Sequence, residues 1–230
     1  MIYLAGDLHG SCGGLTSEFW PIGKTLTKSD YLIILGDFGL LWDGSSTDKH
    51  WLNWLHKKPW TTLFLDGNHE NFDMIDVLPG RHMFNSRVGV VNESVFHLRR
   101  SHLYNIDGNV IFTLGGALSI DKHLRKEGKS WWPGEAISGD DVEIAWSNLL
   151  DIGMEVDYIL THTCPTDVLA CHGIVGGGAK LIDPASFILQ DLALVTKFKH
   201  WYHGHLHVDN TKMGKFTCLY ENIVELGEVI

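Results

Sequence analysis

The sequence predicts one α/β domain in which buried strands alternate with amphipathic helices. The chain has 230 residues, which is enough for a single domain with a sizeable hydrophobic core. Short apolar runs that end in glycine and polar residues recur along it, as is typical of strands covered on both faces. Helical spacing of apolar residues separates several of these runs. No repeat or linker interrupts residues 1–230, so we expect one domain over that range.

Five apolar runs predict the strands of the domain. They are MIYLAGD (1–7), YLIILGD (31–37), TLFLDGN (62–68), VIFTLGG (110–116) and DYILTHT (157–163). The tail at 215–230 alternates apolar and polar residues and predicts two closing strands. Polar residues follow most of the runs at their carboxyl ends, which is the edge of an open α/β sheet where ligands bind.

Three segments between the strands predict helices, at 47–58, 138–153 and 183–198. Tryptophan and leucine recur at i, i+3 and i+4 in the first of them. Ser138 can cap the second helix, with acidic residues in its first turn. Asp183 can cap the third, and Pro184 then occupies the first helical position, where its missing N–H is harmless.

The composition narrows the function classes. A formal net charge of −10 disfavours broad binding to nucleic-acid phosphates, unless bound metal neutralises acidic groups. No window of 18 uncharged apolar residues predicts a membrane helix, and MIYLAGDLHG lacks the basic region of a signal peptide. The cysteines show no CxxC pair, so we expect free thiols in a reducing cytoplasm: Cys12, Cys164, Cys171 and Cys218.

Histidines recur at every second position of WYHGHLHVDN (201–210), namely His203, His205 and His207. On a strand they would project to one side, because side chains alternate between the two faces. They could be polar residues on a solvent-exposed face. They could equally be metal ligands, since neutral imidazole is the commonest protein ligand for transition metals. The stretch alone leaves both interpretations open.

Candidate ligands follow the predicted strands in five blocks. They are Asp7 and His9 in GDLHG, Asp37 in GDFG, Asn68 and His69 in GNHE, His162 in LTHTCP, and His205 and His207 in GHLH. In the first three blocks a glycine directly precedes the aspartate or asparagine. Such a glycine permits a tight turn and a close approach of the backbone to a site.

This series of blocks resembles the calcineurin-like metallophosphoesterase family, and its small bacterial and phage-type members in particular. The shared pattern is GDxHG, GD, GNHE, a lone histidine after a strand, and GHxH, and all five occur here in order between residues 6 and 207. The resemblance implies an α/β sandwich with a dinuclear metal site at the carboxyl ends of its strands. It also implies metal-dependent hydrolysis of phosphate esters.

The resemblance further implies roles for individual residues. Asp37 would bridge two ions, with Asp7, His9 and His207 completing one site and Asn68, His162 and His205 the other. Mixed aspartate, asparagine and histidine ligands suit divalent transition metals, Mn²⁺ first, with Fe, Zn²⁺ or Ni²⁺ as alternatives. His203 is left over, and we expect it to make hydrogen bonds beside the site or to lie on the surface.

The catalytic residues implied are the bridging Asp37 and His69. His69 would stabilise or protonate the leaving oxygen, a task that suits an imidazole because an alkoxide needs a proton. The alternative is that His69 only orients a carboxylate, with Asp37 holding its ring. Residues 36–44, GDFGLLWDG, lack the Asp-Arg pair of the GDxxDRG block in the protein phosphatase branch, which argues against phosphoprotein phosphatase activity.

Two segments remain outside the blocks. The stretch 115–135 carries Arg125, Trp131 and Trp132, and cations beside flat aromatic rings suit a phosphate and a planar group of the substrate. A surface loop whose tryptophans pack on the domain is the alternative. The glycine-rich stretch 173–183 lacks the GK[ST] ending of a phosphate-binding loop, so we predict a loop beside the site.

The predicted substrate is a phosphate ester, and we favour a phosphodiester that is nucleotide-like or derived from nucleic acid. A phosphomonoesterase or phosphoprotein phosphatase is the alternative among enzymes. A metal-binding scaffold without turnover is the alternative outside them, although the full ligand set and His69 favour catalysis. We expect no membrane partner, and the sequence leaves the oligomeric state open.

Overall fold

A computed structural model describes residues 1–173 and 183–230, and these residues form two β-sheets that face each other. The first has seven strands within the described ranges, in spatial order β13 (Ile223–Glu225), β1 (Ile2–Ala5), β2 (Tyr31–Ile34), β3 (Thr61–Phe64), β6 (Val95–Leu98), β5 (Ser86–Asn92) and β4 (Gly80–Met83). The strands β1, β2, β3 and β6 are parallel, with Ile2 level with Tyr31 and Tyr31 level with Thr61.

The second sheet has six strands in the described part of the chain. Their spatial order is β11 (Asn210–Lys212), β12 (Phe216–Cys218), β10 (His200–His203), β9 (Tyr158–Thr161), β8 (Asn109–Leu114) and β7 (His102–Ile106). The four central strands are parallel, and the two edge strands are antiparallel to their neighbours. Parallel strands end at the same edge, so each sheet gathers the residues that follow its strands.

The described helices are α1 (Ser46–His56), α2 (Phe72–Ile75), α3 (Gly139–Asp151), α4 (Thr166–Cys171) and α5 (Pro184–Val195). The caps predicted for α3 and α5 are confirmed. Ser138 and Asp141 form a reciprocal capping box on α3, and the Asp183 side chain accepts the Ala185 N–H at the start of α5. The helix predicted at 47–58 is confirmed as α1, which Ser45 caps by accepting the Asp48 N–H.

Apolar side chains form three layers of core. Leu4, Ile33 and Leu63 of the first sheet pack with Leu160 and Tyr202 of the second, so one cluster lies between the sheets. A second cluster covers the outer face of the first sheet and includes residues of α1, and a third covers the outer face of the second sheet under α3 to α5. The predicted α/β sandwich is therefore confirmed.

Several strands were not predicted, namely β4 to β7 and β11. The reason is their environment, because β4 is largely exposed and β7 alternates between buried and exposed positions rather than forming a continuous apolar run. Most of the glycine-rich stretch predicted to be a loop, residues 174–182, lies outside the described residues.

The described ranges also bear on the cysteines and on membrane spans. Cys12, Cys164, Cys171 and Cys218 are all free, as the sequence predicted. Among residues 1–173 and 183–230, no helix combines the length and apolar character that a membrane span requires. The cytoplasmic location stays a prediction.

Candidate metal centre

The carboxyl ends of both sheets meet at one place, and the predicted ligands lie there. Asp7, Asp37 and Asn68 follow β1, β2 and β3, while His162 follows β9. Asp7, Asp37, Asn68 and His162 are buried, whereas the His9 side chain is 35% exposed and that of His207 46%. The site is thus a buried floor of oxygen and nitrogen ligands under an open rim of imidazoles.

Two groups of ligand atoms converge. Asp7, His9 and His207 form one, and Asp7, Asp37 and His162 form the other, with the ligand atoms of each group within 4.8 Å of one another. Asp7 belongs to both. Asp37 faces both as well, because Oδ1 lies 3.4 Å from His162 Nε2 and Oδ2 lies 3.8 Å from His9 Nδ1.

The first group brings two imidazoles against one carboxylate. His9 Nε2 lies 2.9 Å from His207 Nε2, and His207 Nε2 lies 3.0 Å from Asp7 Oδ2. The two ring nitrogens and the buried Asp7 carboxylate oxygen converge on one position. A cation at that position would be bound by all three atoms. The donor chemistry therefore fits a divalent transition metal.

The second group is oriented by the backbone. His162 Nδ1 donates a hydrogen bond to the Leu35 carbonyl at 2.8 Å, which leaves Nε2 as the free donor atom for a metal. Nε2 lies 3.1 Å from Asn68 Oδ1. His205 lies beside these residues, with its ring centroid 4.9 Å from that of His162 and its N–H bonded to Asp7 Oδ1 at 3.0 Å.

Charge and burial set the protonation of the ligands. Burial raises the pKa of the Asp37 carboxyl, but His162, His69 and the His69 N–H outweigh this and hold it below its usual range. Burial lowers the pKa of His205 to about 3, so its imidazole is neutral and available as a ligand. Metal binding requires an ionised carboxylate and a neutral imidazole, and Asp37 and His205 provide these states.

Glycines let these groups come together. A side chain at Gly36 would overlap the His162 ring, and one at Gly67 would overlap Asp37. Gly36 also has φ of 94°, a conformation that other residues rarely adopt. The predicted close approach at the glycine before each aspartate or asparagine block is confirmed at these two positions.

Four of the predicted ligands have left-handed backbone conformations, with φ of 47° at His9, 47° at Asp37, 69° at His205 and 52° at His207. Such conformations cost free energy for residues other than glycine, and they cluster at functional sites. The strand β10 ends at His203. The interpretation of the three histidines as one alternating strand is therefore wrong.

His203 differs from its neighbours in environment. It is fully buried, its Nδ1 donates to the Gly204 carbonyl at 3.1 Å, and burial lowers its pKa to about 3. The surface position considered for His203 is wrong, and the structure shows a buried, hydrogen-bonded histidine instead.

Glu70 supports the loop that carries Asp37, and no role for it was predicted from the sequence. It is buried, and its carboxyl accepts the Phe38 N–H at 2.7 Å and the Gly39 N–H at 3.1 Å. Burial and the nearby Asp37 raise its pKa well above the ordinary value. Its place in the GNHE block, one residue after His69, was the available signal.

Asn68 is oriented by a buried chain of hydrogen bonds. Its Nδ2 donates to Ser119 Oγ at 3.1 Å, and the Ser119 hydroxyl donates to Glu135 Oε2 at 2.7 Å. Glu135 also accepts the Ser119 N–H at 2.9 Å. This arrangement turns Asn68 Oδ1 towards His162, so the segment 115–135 orients the amide that faces His162.

Replacing Ser119 with alanine should weaken metal binding about 10- to 100-fold, the usual cost of losing a partner that orients a ligand. The Asn68 amide loses its acceptor in this variant and is free to rotate. The measurement is a metal titration in competition with a chromogenic chelator. Ser147→Ala, on the exposed face of α3, is the matched control. Equal affinities in the two variants would contradict the orienting role.

His69 lies at the edge of the site against Arg125. The guanidinium Nη1 is 3.0 Å from His69 Nδ1, and Nη2 is 3.4 Å from His69 Nε2. Asp37 accepts the backbone N–H of His69 at 2.7 Å, and the ring nitrogens of His69 contact Arg125. Burial lowers the pKa of His69, Asp37 opposes this shift, and the cationic Arg125 adds to it.

The neighbouring tryptophans have different environments. Trp132 is buried, its Nε1 donates to Asp73 Oδ2 at 2.8 Å, and its ring packs edge-on against Trp42. The covered ring does not fit the substrate contact expected for Trp132. Trp131 is half-buried, and Lys122 Nζ lies 5.7 Å from its ring centroid.

Comparison with known proteins gives a family for this architecture. The family model for calcineurin-like phosphoesterases matches residues 1–209. The chain belongs to the calcineurin-like phosphoesterase family. The family is one of metal-dependent phosphoesterases, which agrees with the Asp and His groups described above and with the ester hydrolase predicted from the sequence.

Two known proteins are similar to this chain, one in sequence and one in structure. The lariat debranching enzyme of Schizosaccharomyces pombe is 26% identical over 261 aligned residues, which cover 96% of this chain and 53% of that enzyme. The chain thus spans about half the length of this curated relative. The crystal structure of phosphopantetheinyl hydrolase from Mycobacterium tuberculosis has a TM-score of 0.51 at 12% identity, covering 95% of this chain and 89% of that one, and supports the fold.

Two open grooves leave the metal centre in this family member, and His9 lines both. The larger, of about 860 Å³, also contacts Asp7, Phe19 and Tyr220. The smaller, of about 440 Å³, contacts His69 and Trp42. Phe19 and Tyr220 were not predicted as site residues, because both lie outside the five blocks.

Proposed function

We propose that this protein is a phosphodiesterase that acts, with two divalent transition-metal ions, on a nucleotide-like or short nucleic-acid-derived substrate. The observation that carries the proposal is the pair of grooves that meet at His9. A phosphodiester has two organic arms, and each groove can receive one. A phosphomonoester has a single arm and would leave one groove without a role.

The residues fit a pair of ions. Asp7, His9 and His207 would hold one, and Asn68, His162 and His205 the other, with Asp37 between them. Mn²⁺ suits this mixture of oxygen and imidazole donors, and Fe, Zn²⁺ or Ni²⁺ are the alternatives. When bound, such ions neutralise phosphoryl charge and lower the pKa of coordinated water.

His69 and Arg125 supply the chemistry of the leaving group. His69 lines the smaller groove, so we place the leaving arm there. The imidazole N–H can donate to the leaving oxygen, and the adjacent guanidinium adds positive charge where negative charge develops. Asp121 accepts from Arg125 Nε at 2.8 Å and keeps the guanidinium beside His69.

The net charge of the chain and its similarity to a known enzyme support the proposed substrate class. The net charge of −10 disfavours a long polyanion, so we favour short substrates. Similarity to a lariat debranching enzyme favours a nucleic-acid-derived ester over a phosphoprotein. The intact ligand set and His69 favour catalysis over a scaffold without turnover.

The test uses the purified full chain with Mn²⁺ and two esters of the same leaving group, bis-p-nitrophenyl phosphate and p-nitrophenyl phosphate. We expect a higher kcat/KM for the diester, loss of activity with a chelator and recovery when Mn²⁺ is restored. Preference for the monoester would overturn the diester assignment, and activity that survives complete metal removal would overturn the metal-dependent mechanism.

A further inference from the structure

The larger groove carries two exposed aromatic side chains, Phe19 and Tyr220, beside the metal centre. We propose that this groove, the Phe19–Tyr220 groove, binds a planar, uncharged ring on the non-leaving arm of the phosphodiester. The inference rests on the proposed function and assigns the part of the substrate that the metals do not hold. Asp7 and His9 line the groove, so it is continuous with the site.

Phe19 is presented outwards from an anchored segment. Its side chain is 72% exposed, whereas that of the next residue, Trp20, is 4% exposed. Trp20 packs edge-on against Tyr3 and Trp60, with ring centroids 5.5 Å and 5.0 Å away. The chain is therefore fixed at Trp20, and the Phe19 ring is left open at the groove, where aromatic rings serve as contact surfaces.

Tyr220 is held in place before any ligand arrives. Its ring stacks on His207 with centroids 4.5 Å apart and an interplanar angle of 12°. The Asp209 carboxylate accepts the N–H groups of Tyr220 at 2.8 Å, Glu221 at 2.9 Å and Asn222 at 3.2 Å. A loop fixed in this way loses little conformational freedom when it binds a ligand.

The charges of the groove disfavour an anionic group on this arm. Among the described residues that line it, none is a lysine or arginine, and the ionisable carboxyls are Asp7 and Glu221. A second phosphate on this arm would meet no cation. Ser11 and Asn222 supply hydroxyl and amide groups that can bond the edge of a nucleobase.

The orientation of the bound phosphodiester is inferred from the position of His69. Because His69 lines the smaller groove and not the larger one, the leaving arm lies in the smaller groove and the retained arm in the Phe19–Tyr220 groove. The ring bound there belongs to the nucleoside that keeps the phosphate.

The experiment compares two diesters that share the p-nitrophenolate leaving group. Thymidine 5′-(p-nitrophenyl phosphate) has a nucleoside as its other arm, and methyl p-nitrophenyl phosphate has none. With Mn²⁺ and the full chain, we expect kcat/KM to favour the thymidine ester about tenfold or more, as stacking on one base allows. Phe19→Ala should remove most of that preference, and Phe19→Trp should keep it.

Phe187→Ala is the matched control, because Phe187 is 54% exposed on α5 and does not line the groove. It should keep the wild-type preference. An unchanged preference in Phe19→Ala, or a wild type that shows none, overturns the ring-binding groove and leaves the phosphodiesterase proposal standing. A wild type that hydrolyses neither diester overturns the proposed function itself. Tyr220 is not varied, since its ring also contacts His207.

Discussion

Replacing Asp37 with asparagine is expected to lower hydrolysis more than about 100-fold and to reduce bound metal below the roughly two ions expected per wild-type chain. Asp37 is buried, and its two oxygens face histidines of both ligand groups. The amide keeps the shape of the side chain but loses its charge and one acceptor oxygen. The loss should exceed the roughly 10- to 100-fold cost of removing an outer contact to a ligand.

Metal analysis and kcat/KM on bis-p-nitrophenyl phosphate measure both effects. Asn68→Ala should lose less activity, because Asn68 would contact only one of the two proposed ions. Asp151→Asn, an exposed carboxylate at the end of α3, controls for the change of charge. Small and equal losses in the Asp37 and Asn68 variants would show that Asp37 does not bridge.

Replacing His69 with asparagine should reduce kcat by roughly 10²- to 10⁴-fold, the range for a positioned acid or base, while metal content stays at the wild-type value. The hydrogen bond from residue 69 to Asp37 comes from the backbone, so the substitution preserves it. The loss should shrink for esters of acidic alcohols such as p-nitrophenol, because their leaving oxygen needs little protonation.

The measurement is kcat across a series of diesters whose leaving groups differ in pKa, with metal analysis of each variant. His56→Asn changes an exposed histidine at the end of α1 and should match the wild type throughout. A loss of the same size for every leaving group would mean that His69 does not assist departure of the leaving oxygen.

The sequence predicted those parts of the fold that continuous apolar runs encode. The runs at β1, β2, β3, β8 and β9 are buried on both faces, so their composition alone identifies them as strands. The antiparallel strands β4 and β7 carry polar and exposed residues instead. Their pairing depends on neighbours in space, which a window of sequence does not contain.

The sequence predicted the candidate ligands as a series of ordered blocks, whereas contacts between residues far apart in the chain could not be predicted from it. Asn68 reaches Ser119 over 51 positions, and no local pattern marks that pair. Trp131 and Trp132 are adjacent and chemically identical, but Trp132 is packed against Trp42. The left-handed backbone of His9, Asp37, His205 and His207 also carries no sequence signal, because each is stabilised by the surrounding fold.

The division of the ligands between two sheets has a consequence for how the protein is made. A ribosome completes Asp7, His9, Asp37 and Asn68 well before His162, His205 and His207, and Asp7 and His207 are 200 positions apart. A nascent chain that ends after Asn68 therefore contains the carboxylate and amide oxygens of the candidate site but only one of its four imidazoles, that of His9. Nitrogen donors distinguish transition metals from abundant hard cations. With the proposed ligand set, selective loading with metal would wait until the chain has been synthesised through His207 and the second sheet has packed against the first.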